Sequence, residues 1–120
     1  MREFKFRAWS NKINDFVGKF TGWDEYGPSF IAGNLYSDDC IIEQFTGEYD
    51  NSNIEIYEGD IVEANNVCTF VQSKITGHFS VDFSDGFFWL TNINDACDMW
   101  AFNDVPVSMC KVIGNIHENA

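Results

Sequence analysis

Two carboxylates flank a glycine at Glu58-Gly59-Asp60, a spacing that could hold a cation or split the work of a general acid and base. A tight turn accounts for the same residues more simply: glycine supplies the left-handed backbone and the aspartate accepts from nearby backbone N–H groups. Just upstream, Asp50-Asn51-Ser52-Asn53-Ile54-Glu55 has the look of a calcium loop. It lacks the glycine needed at the sixth position and puts Ile61 at the twelfth, where a bidentate glutamate is required. The four cysteines, Cys40, Cys68, Cys97 and Cys110, include no C-x-x-C pair, and His78 and His117 stand far apart, so no zinc spacing is present. Neither histidine belongs to a nucleophile motif, and no glycine-rich phosphate loop occurs. The expectation is a protein that is not an enzyme and uses no metal or cofactor.

Charge offers more than these motifs. The 120 residues carry seven Lys and Arg against nineteen Asp and Glu, a net −12 with a pI of about 4.2. Residues 1–19 are basic, with five cations against two carboxylates, whereas residues 20–120 hold two cations against seventeen. Such a surface disfavours phosphate backbones and anionic membranes, which need a basic footprint, and it favours a cationic partner. Solubility alone calls for a net charge of magnitude roughly 2–8 in a small domain. Hydrophobic residues at 45%, with twelve Phe, four Trp and four Tyr, exclude a disordered chain.

The elements that must position these residues read as strands. Met1 to Trp9 alternates with period two, Ser10-Asn11-Lys12 is turn chemistry, and Ile13 to Phe20 can return as a hairpin partner. Gly22 to Asn34 reads as a loop presenting Trp23, Tyr26 and Phe30. Short strands are expected at Cys40 to Thr46 and from Ile54, and a new block begins at Glu58-Gly59-Asp60-Ile61-Val62. Thr69 to Gln72 and Gly77 to Phe83 continue it as strands. Ser84-Asp85-Gly86 is a hairpin turn, and Phe87 to Leu90, apolar on both faces, is a central strand. Asn94 can cap a single short helix near residues 94–102, and Val107 to Ile116 closes the chain as a strand bulged at Gly114. Met1 to Arg7 lacks the apolar core of a signal peptide, and no apolar run exceeds four residues, so neither export nor a membrane span is expected.

Four segments are more specific in combination. Arg2-Glu3-Phe4-Lys5-Phe6-Arg7-Ala8-Trp9, Gln44-Phe45-Thr46-Gly47, Ile56-Tyr57-Glu58-Gly59-Asp60-Ile61-Val62 and Val112-Ile113-Gly114-Asn115-Ile116-His117-Glu118-Asn119 resemble, in order and spacing, the YopX family of bacteriophage and prophage proteins. The chain departs from that pattern in the turn Glu48 to Asn53 and in having His117 where tyrosine is usual. The resemblance implies a mainly β, phage-encoded protein located in the host bacterial cytoplasm. It further implies an N-terminal β-hairpin region, residues 1–57, packed on an SH3-like β-barrel or sandwich at residues 58–120. It carries no catalytic residue over.

On this basis a protein partner is expected: a basic host protein, a nucleic-acid-binding nuclease or defence complex, blocked by an acidic inhibitor of the anti-restriction or anti-CRISPR type. Carboxylates spaced along strands would stand in for phosphates, steering the protein into a basic groove. The expected binding residues are Asp38, Asp39, Glu43, Glu58, Asp60, Asp82, Asp85, Asp95 and Asp98, with Trp23 and Tyr26 as aromatic anchors. The alternative is a structural or peptide-binding SH3-like module in phage assembly or regulation, its acidity incidental.

Overall fold

The computed structural model describes residues 5–11, 14–17, 19–24, 27–31 and 40–118. The chain divides into two compact units, Met1–Phe45 and Thr46–Ala120. It is mainly β, with antiparallel strands throughout.

In the first unit β1 (Phe6–Ser10) pairs on one side with β2 (Asp15–Val17) and on the other with the first half of β5 (Cys40–Tyr49). The hairpin expected at the N-terminus is therefore present. Cross-strand pairs hold it: Trp9 lies opposite Phe16, their rings 4.9 Å apart edge to face, and the Arg7 guanidinium stacks 4.3 Å over the Phe16 ring. The stretch read as a loop over Gly22 to Asn34 contains a second hairpin, β3 (Lys19–Asp24) with β4 (Gly27–Ile31). Aromatic and β-branched residues outweigh its glycines, and Pro28 is tolerated because the ribbon has only two strands and both are edges.

The second unit starts within β5 and continues through β6 (Glu55–Tyr57), β7 (Asp60–Cys68), β8 (Lys74–Ser84), β9 (Phe87–Asn92), β10 (Asp95–Ala101) and β11 (Lys111–Asn115). Five of these form one sheet in the order β10-β9-β8-β7-β11. Its inner face carries Val62, Ala64, Val67, Ile75, Phe79, Val81, Phe88 and Leu90, closed by Phe102, Val105, Val107 and Cys110. Along β7 the inward positions advance by two and then by three, because the register shifts between Ala64 and Val67. Asn66, at φ 55°, absorbs the extra residue and returns Val67 to the core.

Ser84-Asp85-Gly86 forms the expected turn: Ser84 pairs with Phe87, and Asp85 and Gly86 both take positive φ, the two-residue geometry that matches strand twist. The bulge at Gly114 is also present, as a register shift between Val112 and Gly114. β9 is central in the sheet, but only Phe88 and Leu90 are buried, and Phe87 faces solvent.

Three further expectations need correction. No helix forms near residues 94–102; residues 95–101 are the edge strand β10, bulged between Asp95 and Met99. A helix of that length is marginal by itself, whereas pairing satisfies the free backbone edge of β9. The Asn94 side chain is not the cap expected of it: in the hairpin turn Asn92 Oδ1 accepts from Asn94 N–H, and in the bulged start of β10 Asp95 Oδ1 accepts from Cys97 N–H. Residues 69–72 are a turn rather than a strand, and Val107–Met109 is a single 3-10 turn preceding β11. The second compact unit begins at Thr46, and within it the Asp50 turn is tied by hydrogen bonds to Cys110 and Val112.

Candidate functional site

The carboxylates expected to form one binding face have several different environments. Asp38, Asp39 and Tyr26 lie outside the described residues, and of Trp23 only the backbone is described, in β3 opposite Pro28. Glu43 is buried opposite Arg7 and accepts its Nε–H at 2.9 Å, so this carboxylate belongs to a cross-strand ion pair and not to a docking face. Asp60 is buried as well. Its Oδ2 accepts the Tyr57 N–H at 2.8 Å across the Glu58-Gly59 turn, where Gly59 sits at φ 88°. That is the turn reading of Glu58-Gly59-Asp60, with Glu58 half-buried beside it.

Asp82, Asp95 and Asp98 are in the five-stranded sheet and Asp85 is in its β8–β9 turn, yet they do not converge. Asp82 is half-buried, opposite Trp89, and accepts from Ser80 Oγ at 3.3 Å. Asp98 is occupied by Asn92 Nδ2 at 3.0 Å and Trp100 Nε1 at 2.9 Å. Asp85 and Asp95 are exposed at the two ends of β9, and six residues of strand separate those ends by roughly 20 Å. Among the described residues no three His, Cys, Asp or Glu side chains group closely enough to hold a metal ion.

The calcium-like stretch is resolved by Asp50. This side chain is buried, with Oδ1 accepting from Ser52 N–H at 2.8 Å and Ile54 N–H at 2.9 Å, and Oδ2 from Val112 N–H at 2.9 Å. Burial by itself pushes its pKa up; the three amide donors, with Lys111 nearby, outweigh burial and hold it below the ordinary 3.8. A carboxylate engaged on both oxygens by backbone amides is a structural staple.

Concavities lined by described residues include two in the second unit. A shallow one of about 190 Å³ lies over β7 and β8, lined by Glu63, Ala64, Asn65, Thr76, Gly77 and His78. There His78 Nε2 is 3.2 Å from Glu63 Oε2, an exposed cross-strand pair. The other, about 250 Å³, is lined by Glu48, Phe70, Phe102, Asn103, Val105, Pro106, Val107 and Ser108. Buried Phe102, Val105 and Val107 make its floor, and Phe70, 68% exposed, stands at its wall. Sequence reasoning missed Phe70, having placed it in a strand. The usable signal was polar: Thr69 and Ser73 bracket Phe70-Val71-Gln72 as side chains that readily close a turn.

Of the residues carrying the family resemblance, Arg2 to Trp9 and Gln44-Phe45 belong to the first unit, and the others meet in the second. Asn115 stands opposite Asp60 and Gly114 opposite Ile61, and Ile116 N–H donates to the Gly59 carbonyl at 2.8 Å. Thr46 Oγ1 donates to the Ile56 carbonyl at 2.7 Å. The segments far apart in sequence are thus neighbours in space. A family model described as YopX protein matches residues 5–120. The chain belongs to the YopX family. The crystal structure of protein EF1440 from Enterococcus faecalis is similar, with a TM-score of 0.62, 22% identity, and coverage of 99% of this chain and 96% of that one. At that identity the likeness establishes the fold alone. No curated protein matches the chain.

In this YopX-family chain the signature residues serve architecture. Asn115 Oδ1 accepts from His117 N–H, and its Nδ2 donates to Glu118 Oε1. A Cβ on Gly114 would stand 2.9 Å from Glu118 Oε2. Hydrogen bonds within the fold thus occupy Asp60 and Asn115, and none of these residues lines the 250 Å³ cleft.

Proposed function

We propose that the protein is a phage-encoded accessory protein that acts by binding and not by catalysis, its partner a positively charged host protein that handles nucleic acid. One observation supports this above the others. The second unit has two lysines against twelve carboxylates, a net −10 within the chain's −12. Even after the structural Asp50 and Asp60 are set aside, exposed Glu48, Glu63, Asp85, Asp95 and Glu118 distribute negative potential around that unit. A field of this sign raises the encounter rate with a basic surface and repels phosphate.

The test is capture of partners from host lysate on the immobilised chain, followed by nuclease assays across a salt series. A basic nucleic-acid-handling protein retained at low salt and released at high salt, with its activity suppressed, supports the reading. Replacing Glu63, Asp85 and Asp95 with the neutral amides should weaken capture while leaving the unfolding temperature unchanged. Capture untouched by these changes would favour a peptide-binding or assembly module whose acidity is incidental.

A further inference from the structure

Phe70, Val71 and Met109 are 68%, 56% and 64% exposed, three large apolar side chains on or beside the 250 Å³ cleft. Exposure of this kind on a floppy tip would carry little meaning, but here the backbone is held. Thr69 N–H donates to the Ser73 carbonyl at 2.7 Å, Gln72 N–H to the Thr69 carbonyl at 3.0 Å, and Ser73 N–H to Thr69 Oγ1 at 3.2 Å. Phe70 N–H donates to the Asp104 carbonyl at 2.8 Å, which ties the turn to the segment forming the cleft floor. Gln72 takes φ 65° to close the turn. The position of Phe70 is therefore imposed by the fold before any partner arrives, which lowers the ordering cost of binding.

We propose that this cleft docks an extended segment of a partner protein, one apolar side chain entering over Phe102, Val105 and Val107 with a Lys or Arg beside it meeting Glu48. The occupant is identified by volume and charge. The cleft is smaller than the roughly 300–1,000 Å³ typical of drug-sized ligand pockets, so it suits a side chain and not a cofactor. Glu48 is the one charged residue lining it, exposed and without an ion-pair partner among the described residues. No cation lines the cleft, and the unit around it is strongly negative. This inference rests on the cationic-partner reading and gives that partner its point of attachment.

The test uses the full chain and three fluorescein-labelled peptides in one Gly-Ser frame, with centres Lys-Leu-Arg, Lys-Gly-Arg and Gln-Leu-Gln, read by anisotropy. Lys-Leu-Arg should bind about tenfold or more tighter than Lys-Gly-Arg, since a buried apolar anchor at a hot spot is worth that much, and tighter than Gln-Leu-Gln, which lacks a cation to meet Glu48. Phe70→Ser should reduce it to the level of Lys-Gly-Arg, and Glu48→Gln should reduce it toward Gln-Leu-Gln, with both variants folded by circular dichroism. Equal binding of the Lys-Leu-Arg and Lys-Gly-Arg peptides, unmoved by Phe70→Ser, would overturn the cleft while leaving the acidic surface as the binding feature. Equal binding of Lys-Leu-Arg and Gln-Leu-Gln removes the cation and overturns the proposal as stated. Silence from all three peptides also overturns it, and the lysate capture, which does not depend on Phe70, then judges the broader reading alone. A concentration-dependent dimer in sedimentation abolished by Phe70→Ser, or Phe70-dependent binding to phosphatidylcholine vesicles, would assign the patch to a second copy or to lipid and count equally against it.

Discussion

Two turns of the second unit invert what their residue types suggest. At Asp50 a charged side chain points inward, buried, and takes three backbone N–H donors, one of them on Val112. At Phe70 an aromatic side chain points outward from a turn whose hydrogen bonds are made by backbone groups of Thr69, Gln72 and Ser73 and by the Thr69 hydroxyl. The carboxylate is structural because both of its oxygens accept backbone amides of the fold, and hydrogen bonds to a charged group contribute about 1.5–3 kcal/mol each. Phenylalanine is left on the surface because the turn is complete without its side chain. Net charge therefore overstates the binding surface, and hydrophobic content overstates the core.

The contrast is broken most directly at Asp50. Asp50→Ala strands three donors and should cost about 3 kcal/mol in urea unfolding. Asp50→Asn, which keeps one acceptor oxygen, should cost less. A loss below about 1 kcal/mol for the alanine variant would mean water replaces the carboxylate and the staple is unimportant.

Acid should act on the same staple. Because the folded pKa of Asp50 lies below the ordinary 3.8, its stabilisation is fully present above the unfolded value and is lost as pH falls through the folded one. Thermal unfolding from pH 6 downward should show the gap between wild type and Asp50→Asn constant until about pH 4 and shrinking below it. A gap that stays constant at low pH would remove the ionised carboxylate from the explanation.

Thiols beside the two turns sharpen the comparison at smaller cost to the fold. Cys110, whose carbonyl accepts from Asn51 N–H next to Asp50, is fully buried, and desolvation pushes its thiol up to about 11. Cys68, one residue before the Phe70 turn, is exposed, as is Cys97. Iodoacetamide should label Cys68 and Cys97 in the native protein and reach Cys110 only on unfolding, or sooner in Asp50→Ala. Mass spectrometry of the alkylated peptides reads this, and native labelling of Cys110 would show that its wall is open.

The smallest effect is expected at Phe70. Phe70→Ser should shift stability by no more than about 0.5 kcal/mol, as surface changes do, while abolishing the preference for the Lys-Leu-Arg peptide. A larger loss in urea unfolding would put Phe70 in the core and dissolve the contrast.

Legibility in the sequence followed distance along the chain. The N-terminal hairpin, the Ser84-Asp85-Gly86 turn, the Glu58-Gly59-Asp60 turn and the Gly114 bulge rest on neighbours, and all four are present. β10 was hidden because Asn92 and Asp95 accept backbone N–H groups two residues on, the same side-chain chemistry that caps a helix. Of the expected acidic site, Glu43 and Asp60 proved internal, since their partners are set by strand register and by a folded turn. Phe70 was missed because a tip and a strand share β-prone residues.

By itself the sequence determined a mainly β chain of net −12, most of its turns, and membership of the YopX family through four separated segments. Tertiary structure decided which charges face water and which apolar groups do not find a core. Periodicity and turn chemistry are properties of adjacent residues, whereas Glu43 meets Arg7 across 36 positions and Asp50 meets Val112 across 62. Burial is set by such distant contacts, and for that reason the most suggestive carboxylates became staples while an unremarked phenylalanine stayed at the surface.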